Sequence, residues 1–335
     1  MTESKIEAME WIAMDDGARL YLRRWEASTE AVSAGSPPRA VLHIIHGMAE
    51  HALRYERLAR RLNGEGISVW AADQRGHGRT ADLRMNDPGR GGLLGHCADR
   101  DGFSRVTADI DTINRAVKKE YPDVPLFLLG HSWGSFIAQN YIETWGGRNP
   151  PGPSGPFPLA GCALSGTRGP GGIKLKLAFP VMAFLAFLKE SRGKSRLARF
   201  LSDGSFNKSF SPDRAGLDWL SRDEKEVEAY AKDPLCGNLC SAGFYRDLMG
   251  GLKQIHRRES LAGIRRDLPL YIFSGTADPV GDMGAGPTAL LNAYRSLGIE
   301  DLEFVLYPDG RHEPLNETNR EEVSAGLVSW LLRHL

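Results

Sequence analysis

The residues with the clearest chemical potential lie in a five-residue pattern, GHSWG, at positions 130–134. The pattern follows an apolar run at 126–129 and precedes a helix-like stretch. A Gly-x-Ser-x-Gly between a strand and a helix is typical of a nucleophile elbow, a tight turn that holds its serine in a strained, exposed position. The context therefore predicts Ser132 as a nucleophile. Since a serine hydroxyl is a poor nucleophile at neutral pH, it needs a base, an acid that orients the base, and donors for the developing oxyanion.

Candidates for the acid and the base follow two later apolar runs. Asp278 comes shortly after the run at 270–273, and His312 shortly after the run at 302–306. Each run is predicted to be a strand, so both side chains are expected at strand carboxyl ends. The order serine, aspartate, histidine is the chain order of the α/β-hydrolase triad and differs from the order on other triad folds. The spacing thus predicts Ser132, Asp278 and His312 as a catalytic triad.

Other residues could take these parts. Asp282 lies four residues beyond Asp278, and Asp309 lies close to the base, but Asp278 follows its strand most closely. Taken singly, each member of the triad could also be an ordinary turn or loop residue. The elbow context, the chain order and the placement at strand ends agree with one another, and together they favour the triad.

A short turn after an apolar run at 40–45 offers a donor for the oxyanion. The turn is His46-Gly47-Met48, at the position where folds of this kind supply a backbone N–H to the reacting carbonyl. Glycine lets the backbone approach the reacting carbon, and the N–H after it can point into the site. The two predicted donors are the N–H groups of Met48 and Trp133. The alternative is that His46-Gly47 is only a turn.

The order of the predicted elements indicates the fold class. Strand-like and helix-like segments alternate through the first half of the chain, which is the pattern of a mostly parallel sheet with helices on both faces. The rhythm changes from 167 to 262, where helical patterns are separated by Gly, Ser and Pro. This change predicts an inserted helical cap at 167–262 and a core made of 1–166 and 263–335.

The predicted cap contains an apolar run at 177–188 with basic residues on both sides. The run is too short to span a bilayer, and Pro180 would kink a helix. It fits either an acyl-chain tunnel that rests on an anionic membrane surface or a cap helix buried on the core. On the first interpretation, Phe184 is a candidate for substrate binding.

Composition narrows the classes of function. The 335 residues carry 42 basic and 42 acidic side chains, so charge favours neither nucleic acid nor an acidic partner. Four cysteines are too few for a disulfide framework in a chain of this size, which suits a reducing compartment. Cys236 and Cys240 could be half a metal site, but no Cys or His pair of matching spacing completes it, and no metal is expected.

The N-terminus also bears on localisation. It is acidic and polar without an apolar core, which is not the pattern of a secretory signal. A cytoplasmic protein is expected, with peripheral membrane contact through the cap if the acyl-tunnel interpretation holds.

Four motifs together carry a family resemblance. They are HGMAEH at 46–51 with Arg54-Tyr55, DQRGHG at 73–78, GHS at 130–132 and YPDGRHE at 307–313. In combination they resemble the monoacylglycerol lipase and lysophospholipase group of α/β hydrolases, a domain family also called serine aminopeptidase. The resemblance runs through roughly 9–166 and 263–335. It implies an α/β-hydrolase fold with a mostly parallel eight-stranded sheet, helices on both faces and an inserted helical cap.

The resemblance also implies a place for Glu50 and Arg54 near the leaving-group pocket, with a structural ion pair as the alternative. The chain departs from the group at two positions. Trp133 stands where the group usually has Met, so a larger side chain is expected to narrow or reshape the acyl entrance. Leu315 stands where the monoacylglycerol lipases have a second histidine, which puts glycerol recognition in doubt.

The resulting hypothesis is a serine hydrolase, without cofactor or metal, that cleaves carboxylic esters of medium or long acyl chains. Monoacylglycerols and lysophospholipids are the expected substrate types. One alternative is an aminopeptidase or amidase with the same triad, which would need an acidic group for the substrate amine. Another is a non-catalytic ligand binder that keeps the fold, although such a protein has no need of all three triad residues.

Overall fold

The strands form one open sheet in the computed structural model of the chain, which describes residues 7–28, 30–33, 36–147, 159–171, 191–202, 204, 206–210 and 216–335. The strands are β1 (Glu7–Ala13), β2 (Arg19–Trp25), β3 (Ala40–Ile45), β4 (Ile67–Asp73), β5 (Leu126–His131), β6 (Gly161–Ser165), β7 (Leu270–Gly275) and β8 (Leu302–Tyr307). Their order across the sheet is β1-β2-β4-β3-β5-β6-β7-β8. Strand β2 runs antiparallel to β1 and β4, and the other pairings are parallel. The predicted eight-stranded, mostly parallel sheet is confirmed.

The central strands are apolar on both faces because helices cover both. In β5, Leu126 and Leu128 face one side of the sheet, Phe127 and Leu129 face the other, and all four are fully buried. Alternate residues of a strand point to opposite faces, so a continuous apolar run is expected where both faces are covered. This is why the short apolar runs of the sequence predicted the inner strands well.

Helices cover both faces of the sheet. The α-helices of the described residues are α1 (Glu56–Gly64), α2 (Gly102–Glu120), α3 (Trp133–Glu143), α4 (Arg196–Ser202), α5 (Glu224–Lys232), α6 (Ala242–Ile255), α7 (Arg258–Leu261), α8 (Ala285–Ser296) and α9 (Arg320–Arg333). Helices α1 and α9 pack on one face of the sheet, for example through Leu62 and Leu327. Helices α2, α3 and α8 pack on the other, for example through Ile110, Ile137 and Leu290. Helices on both faces are thus confirmed.

The described part of the chain between β6 and β7 lies against the carboxyl ends of the strands. In this segment the Trp219 carbonyl accepts a hydrogen bond from the His312 N–H at 3.2 Å, and the Gly237 N–H donates to the Ala49 carbonyl at 2.8 Å. Helix α6 packs on α2 and α3. Open α/β sheets place their ligand sites outside the carboxyl ends of the strands. The segment therefore borders the predicted site, while the division of the chain at 167 and 262 stays a prediction.

The apolar run at 177–188, including Phe184, lies outside the described residues, so the substrate-binding role of Phe184 stays a prediction. Of the basic residues beside that run, Arg192 forms an ion pair with Asp99 at 2.7 Å, and Lys194 donates to backbone carbonyls. Both cations are therefore engaged by the protein itself. Among the described helices, none combines the length and the apolar character that crossing a bilayer requires.

Candidate active site

Ser132 occupies the turn between β5 and α3, where the GHSWG pattern predicts it. Its backbone has φ 53° and ψ −123°. Residues other than glycine rarely adopt this conformation, and holding one in it costs on the order of 1–3 kcal/mol. Two glycines make the turn possible. A Cβ on Gly130 would lie 2.7 Å from the Cα of Ser135, and a Cβ on Gly134 would lie 2.7 Å from the carbonyl carbon of Ile45. The start of α3 can therefore approach the ends of β3 and β5 closely.

We expect Gly134→Ala to lower the free energy of unfolding by about 1–3 kcal/mol, because the added methyl group would overlap the backbone of Ile45 and His46. Backbone atoms at the end of a central strand can move only if the strand or the helix moves. Urea denaturation measures the change. The matched control is Gly64→Ala, since nothing lies within 4 Å of a Cβ there, and we expect it to be neutral or slightly stabilising. A Gly134→Ala variant as stable as the wild type would contradict the close packing.

The structure brings His312 within hydrogen-bonding distance of both other predicted triad residues. Ser132 Oγ lies 2.7 Å from Nε2 of His312, and Nδ1 of the same ring lies 3.0 Å from Oδ1 of Asp278. Asp278 is completely buried. It also accepts hydrogen bonds from the Ser274 hydroxyl at 3.1 Å and from the Val280 N–H at 2.9 Å. The carboxylate is thereby fixed in orientation by three donors, and the imidazole is held between it and the serine.

The two alternative acids, Asp282 and Asp309, are both exposed. An exposed carboxylate is screened by water and interacts weakly with a neighbouring cation. The buried Asp278 is the carboxylate that contacts the His312 ring. Ser274, which helps to orient Asp278, was not singled out in the sequence, although its place near the end of the β7 run is a signal that could have pointed to it.

Burial and ion pairing oppose each other at the His312–Asp278 contact. Burial by itself lowers the pKa of His312, but the charge and the hydrogen bond of Asp278 outweigh it, so the pKa of His312 lies above its ordinary value. Burial acts to raise the pKa of Asp278, but the charge and hydrogen bond of His312, together with the other two donors, keep that pKa below its ordinary value. Asp278 is therefore ionised at neutral pH and placed to stabilise an imidazolium.

The turn after β3 lies directly against Ser132. A Cβ on Gly47 would sit 3.2 Å from the Cβ of Ser132, so glycine allows the turn to come this close. Within the described part of the chain, the N–H of Met48 donates to no protein group. Trp133 is the first residue of α3, and the first N–H groups of a helix have no acceptor inside that helix. Both predicted N–H donors thus remain available to a ligand.

Glu50 and Arg54, predicted either near the leaving-group pocket or as a structural ion pair, belong to a buried network. Arg54 binds both carboxylate oxygens of Glu313, each at 2.7 Å, and reaches Glu50 at 2.6 Å. Glu50 in turn accepts the Gly47 N–H and, at 2.9 Å, the Tyr55 hydroxyl. The network joins the turn after β3 to the residue that follows the predicted base. These contacts are those of a structural ion pair, and a role of Glu50 and Arg54 near the leaving-group pocket stays a prediction.

The Trp133 side chain packs inside the protein. Its ring stacks on His77 at 5.2 Å between centroids and lies 5.0 Å from the ring of Phe244 on α6. Only 3% of Trp133 is exposed, so the ring fills space between the core and α6. The expectation that it reshapes the acyl entrance stays a prediction.

A cavity of about 480 Å³ opens beside the turn that carries Met48. Aromatic rings from the segment between β6 and β7 line it, among them Trp219, Tyr230 and Tyr245. The ring of Trp219 also lies 5.0 Å from that of His312, so the cavity adjoins the triad. The sequence did not point to Trp219 or Tyr230, because no local motif marks either residue.

This sheet, with a strained serine turn at its centre and a histidine and an aspartate on later strand ends, has the architecture of an α/β hydrolase. A family model described as serine aminopeptidase, S33, matches residues 36–319. The chain belongs to this family, and it is an enzyme of the serine hydrolase class.

Comparison with individual proteins agrees with this assignment. The chain is 29% identical over 322 residues to the monoacylglycerol lipase of Mycolicibacterium smegmatis, which is 95% of each chain. It is 30% identical over 302 residues to the monoglyceride lipase of Homo sapiens, covering 89% of this chain and 80% of that one. Its fold is similar to that of a thermostable carboxyl esterase from Bacillus coagulans in complex with glycerol, with a TM-score of 0.83, 26% identity and 98% of each chain covered.

Proposed function

We propose that this enzyme hydrolyses carboxylic esters of medium- or long-chain acyl groups, of the monoacylglycerol or lysophospholipid type. The observation that carries the proposal is the contact of Ser132 Oγ with His312 Nε2 at 2.7 Å, with Asp278 on the far side of the ring at 3.0 Å. A serine, an imidazole and a carboxylate in this arrangement can perform acyl transfer.

In the proposed mechanism, Nε2 of His312 takes the proton of Ser132 as the oxygen attacks the ester carbonyl. The tetrahedral oxyanion accepts hydrogen bonds from the N–H groups of Met48 and Trp133. Collapse expels the alcohol, which receives the proton from His312, and leaves an acyl-serine. A water then gives a proton to His312 and attacks the acyl carbon. The second collapse releases the carboxylic acid and returns the proton to Ser132, while Asp278 stabilises the imidazolium in both halves.

The cavity beside Met48 supports an ester with a long apolar part. Its lining mixes aromatic rings with polar side chains, among them Arg199, Asn207 and Lys208. The rings can pack against an acyl chain, because burying apolar surface contributes about 25 cal/mol per Å². Among the described lining residues there is no carboxylate, whereas an aminopeptidase needs one for the substrate amine.

The relatives support the same proposal. Two of them are named monoacylglycerol lipase and monoglyceride lipase, and the similar esterase was solved in complex with glycerol. Contact of the segment between β6 and β7 with a membrane surface is part of the same proposal.

The test is fluorophosphonate labelling followed by rates on p-nitrophenyl esters from acetyl to palmitoyl. We expect stoichiometric labelling that depends on Ser132 and a kcat/KM maximum at octanoyl or longer. An acetyl preference would overturn the lipid assignment. Aminoacyl p-nitroanilides, assayed in parallel, distinguish the peptidase alternative, which requires them to be cleaved faster than the esters. A chain that neither labels nor turns over any of these substrates would be a ligand binder.

The fall of kcat/KM at low pH should follow the protonation of His312. We expect kcat/KM for a neutral ester to fall about tenfold per pH unit as the pH drops, with a midpoint above the usual histidine pKa of about 6.5. His312 accepts a proton only when neutral, and its pKa is raised, so the active form is lost as the pH falls through that raised value. Initial rates by pH-stat titration measure this. Burial lowers the pKa of His131 to about 4, so that neighbour does not titrate in this range. A midpoint below 6.5 would contradict the assignment.

A further inference from the structure

Three potential metal ligands meet beside the turn that carries Met48. They are His51, Asp233 at the end of α5, and Cys236, and one ligand atom of each lies within 4.8 Å of the other two. Nε2 of His51 is 2.8 Å from Oδ2 of Asp233. Cys236 is a free thiol, and its Sγ lies within 4.8 Å of the ligand atoms of His51 and Asp233. The sequence considered Cys236 with Cys240 as half a metal site, found no matching pair and predicted no metal; the residues grouped with Cys236 here come from elsewhere in the chain.

We propose that His51, Asp233 and Cys236 form a binding site for a divalent ion of the zinc type. Imidazole nitrogen, carboxylate oxygen and thiolate sulfur are the donors that Zn²⁺ uses, with bonds of about 2.0–2.3 Å. In a tetrahedral site, bonds of this length leave the ligand atoms within about 4 Å of one another. Two small shifts would give that geometry: the thiol, within 4.8 Å of the other two ligand atoms, moves closer, and Nε2 of His51 and Oδ2 of Asp233, now 2.8 Å apart, separate slightly to admit the ion.

The surroundings leave a route for the ion and a position for a water ligand. His51 and Cys236 are nearly buried, but the Asp233 side chain is 31% exposed, so the cluster opens to solvent on that side. Oδ1 of Asp233 already accepts the Leu235 N–H at 2.8 Å, which orients the carboxylate and leaves Oδ2 toward His51. Three protein ligands and one water complete four-coordination.

The charges near the cluster are compatible with a bound dication. Asp233 and a deprotonated Cys236 would together neutralise it. Arg54, a cation whose charge acts on Cys236 and Asp233, is already paired with Glu50 and Glu313. Binding would displace the thiol proton to solvent and move the ring proton of His51 to Nδ1, since metal ligands bind deprotonated.

A bound ion would fasten the segment between β6 and β7 to the turn that carries the Met48 donor. Gly237 N–H and the Tyr230 hydroxyl both donate to the Ala49 carbonyl, at 2.8 Å and 3.0 Å. His51 is two residues beyond Ala49 on the same turn. The ion would add a third link between these segments, and its role would be to hold them together rather than to act on the substrate.

Cobalt titration of the metal-stripped, full-length protein tests the site. Co²⁺ serves as the probe because a thiolate ligand produces an intense near-ultraviolet charge-transfer band. We expect one Co²⁺ per chain with this band, displaced by Zn²⁺, and a higher melting temperature when Zn²⁺ is bound. We expect Cys236→Ser to abolish the band, and Asp233→Asn to weaken Co²⁺ affinity by at least about tenfold while keeping the band.

Cys240→Ser is the matched control, because it removes a buried thiol from the same loop without touching the cluster, and it should keep both the band and the affinity. Circular dichroism establishes that each variant is folded. If Cys236→Ser does not fold, Asp233→Asn and His51→Gln carry the test through their affinities. Two results would overturn the proposal. One is a folded wild type that shows no thiolate band at millimolar Co²⁺, and the other is Co²⁺ binding that neither Asp233→Asn nor His51→Gln weakens.

Discussion

Replacing Ser132 by alanine should lower kcat for an ester substrate by about 10⁶-fold and abolish fluorophosphonate labelling. The hydroxyl that contacts Nε2 of His312 at 2.7 Å is removed, and no acyl-enzyme can form. The fold should persist, because alanine occupies the same turn and the contact of His312 with Asp278 remains. Steady-state rates together with gel-based labelling measure the loss, and circular dichroism verifies the fold.

The control is Ser296→Ala, at the exposed end of α8, where the hydroxyl donates to the carbonyl of Ala293 in its own helix. We expect wild-type rates and wild-type labelling from it. Labelling that survives Ser132→Ala would place the nucleophile elsewhere and remove the central element of the mechanism.

Asp278→Asn should lower kcat by about 10⁴-fold. The asparagine amide can donate to Nδ1 of His312, which favours the tautomer with its proton on Nε2, and that nitrogen then cannot accept the proton of Ser132. The substitution also removes the charge that raises the pKa of His312. The acid side of the residual pH profile should therefore move to lower pH, a change that a purely structural role of Asp278 would not produce.

Asp282→Asn provides the matched control, since this aspartate is exposed and four positions further along the chain. Its rate should stay within about twofold of the wild type, as expected for an exposed charge that water screens. A large loss in Asp282→Asn, with Asp278→Asn nearly unaffected, would reverse the assignment of the acid.

Much of the fold was predictable because local patterns reflect burial. The inner strands are apolar runs with both faces covered, and α2 shows the spacing of a helix with one buried face in Val106, Ile110, Ile113 and Val117. The edge strand β1 carries no such run, because most of its residues are exposed or half-buried. No strand was predicted there from the sequence pattern, and the family resemblance implied only that the sheet has eight strands.

The candidate site was predictable in part for the same reason. Ser132, Asp278 and His312 each follow a buried strand, and parallel strands bring their carboxyl ends to one edge of the sheet. The order of these residues along the chain then indicated which is the nucleophile, which the acid and which the base. The choice of Asp278 over Asp282 depended on distance from the strand, and the burial of one and the exposure of the other agree with it.

Contacts made by the segment between β6 and β7 could not be predicted. Trp219 lies against His312, and Tyr230 bonds to the carbonyl of Ala49, although each pair is far apart along the chain. No periodicity encodes such contacts, because they depend on how a connection of about a hundred residues folds back over the strand ends. The apolar run at 177–188, for which the sequence offered either an acyl tunnel or a buried cap helix, lies outside the described residues.

By itself, the sequence determined which segments are buried, in what order they follow one another, and therefore which polar residues stand at strand ends. Only the tertiary structure decided which distant side chains meet there, including Arg54 with Glu313 and the grouping of His51, Asp233 and Cys236. The physical reason is that burial leaves a local trace in apolar spacing, whereas an ion pair or ligand cluster between residues more than 180 positions apart exists only once the chain has packed.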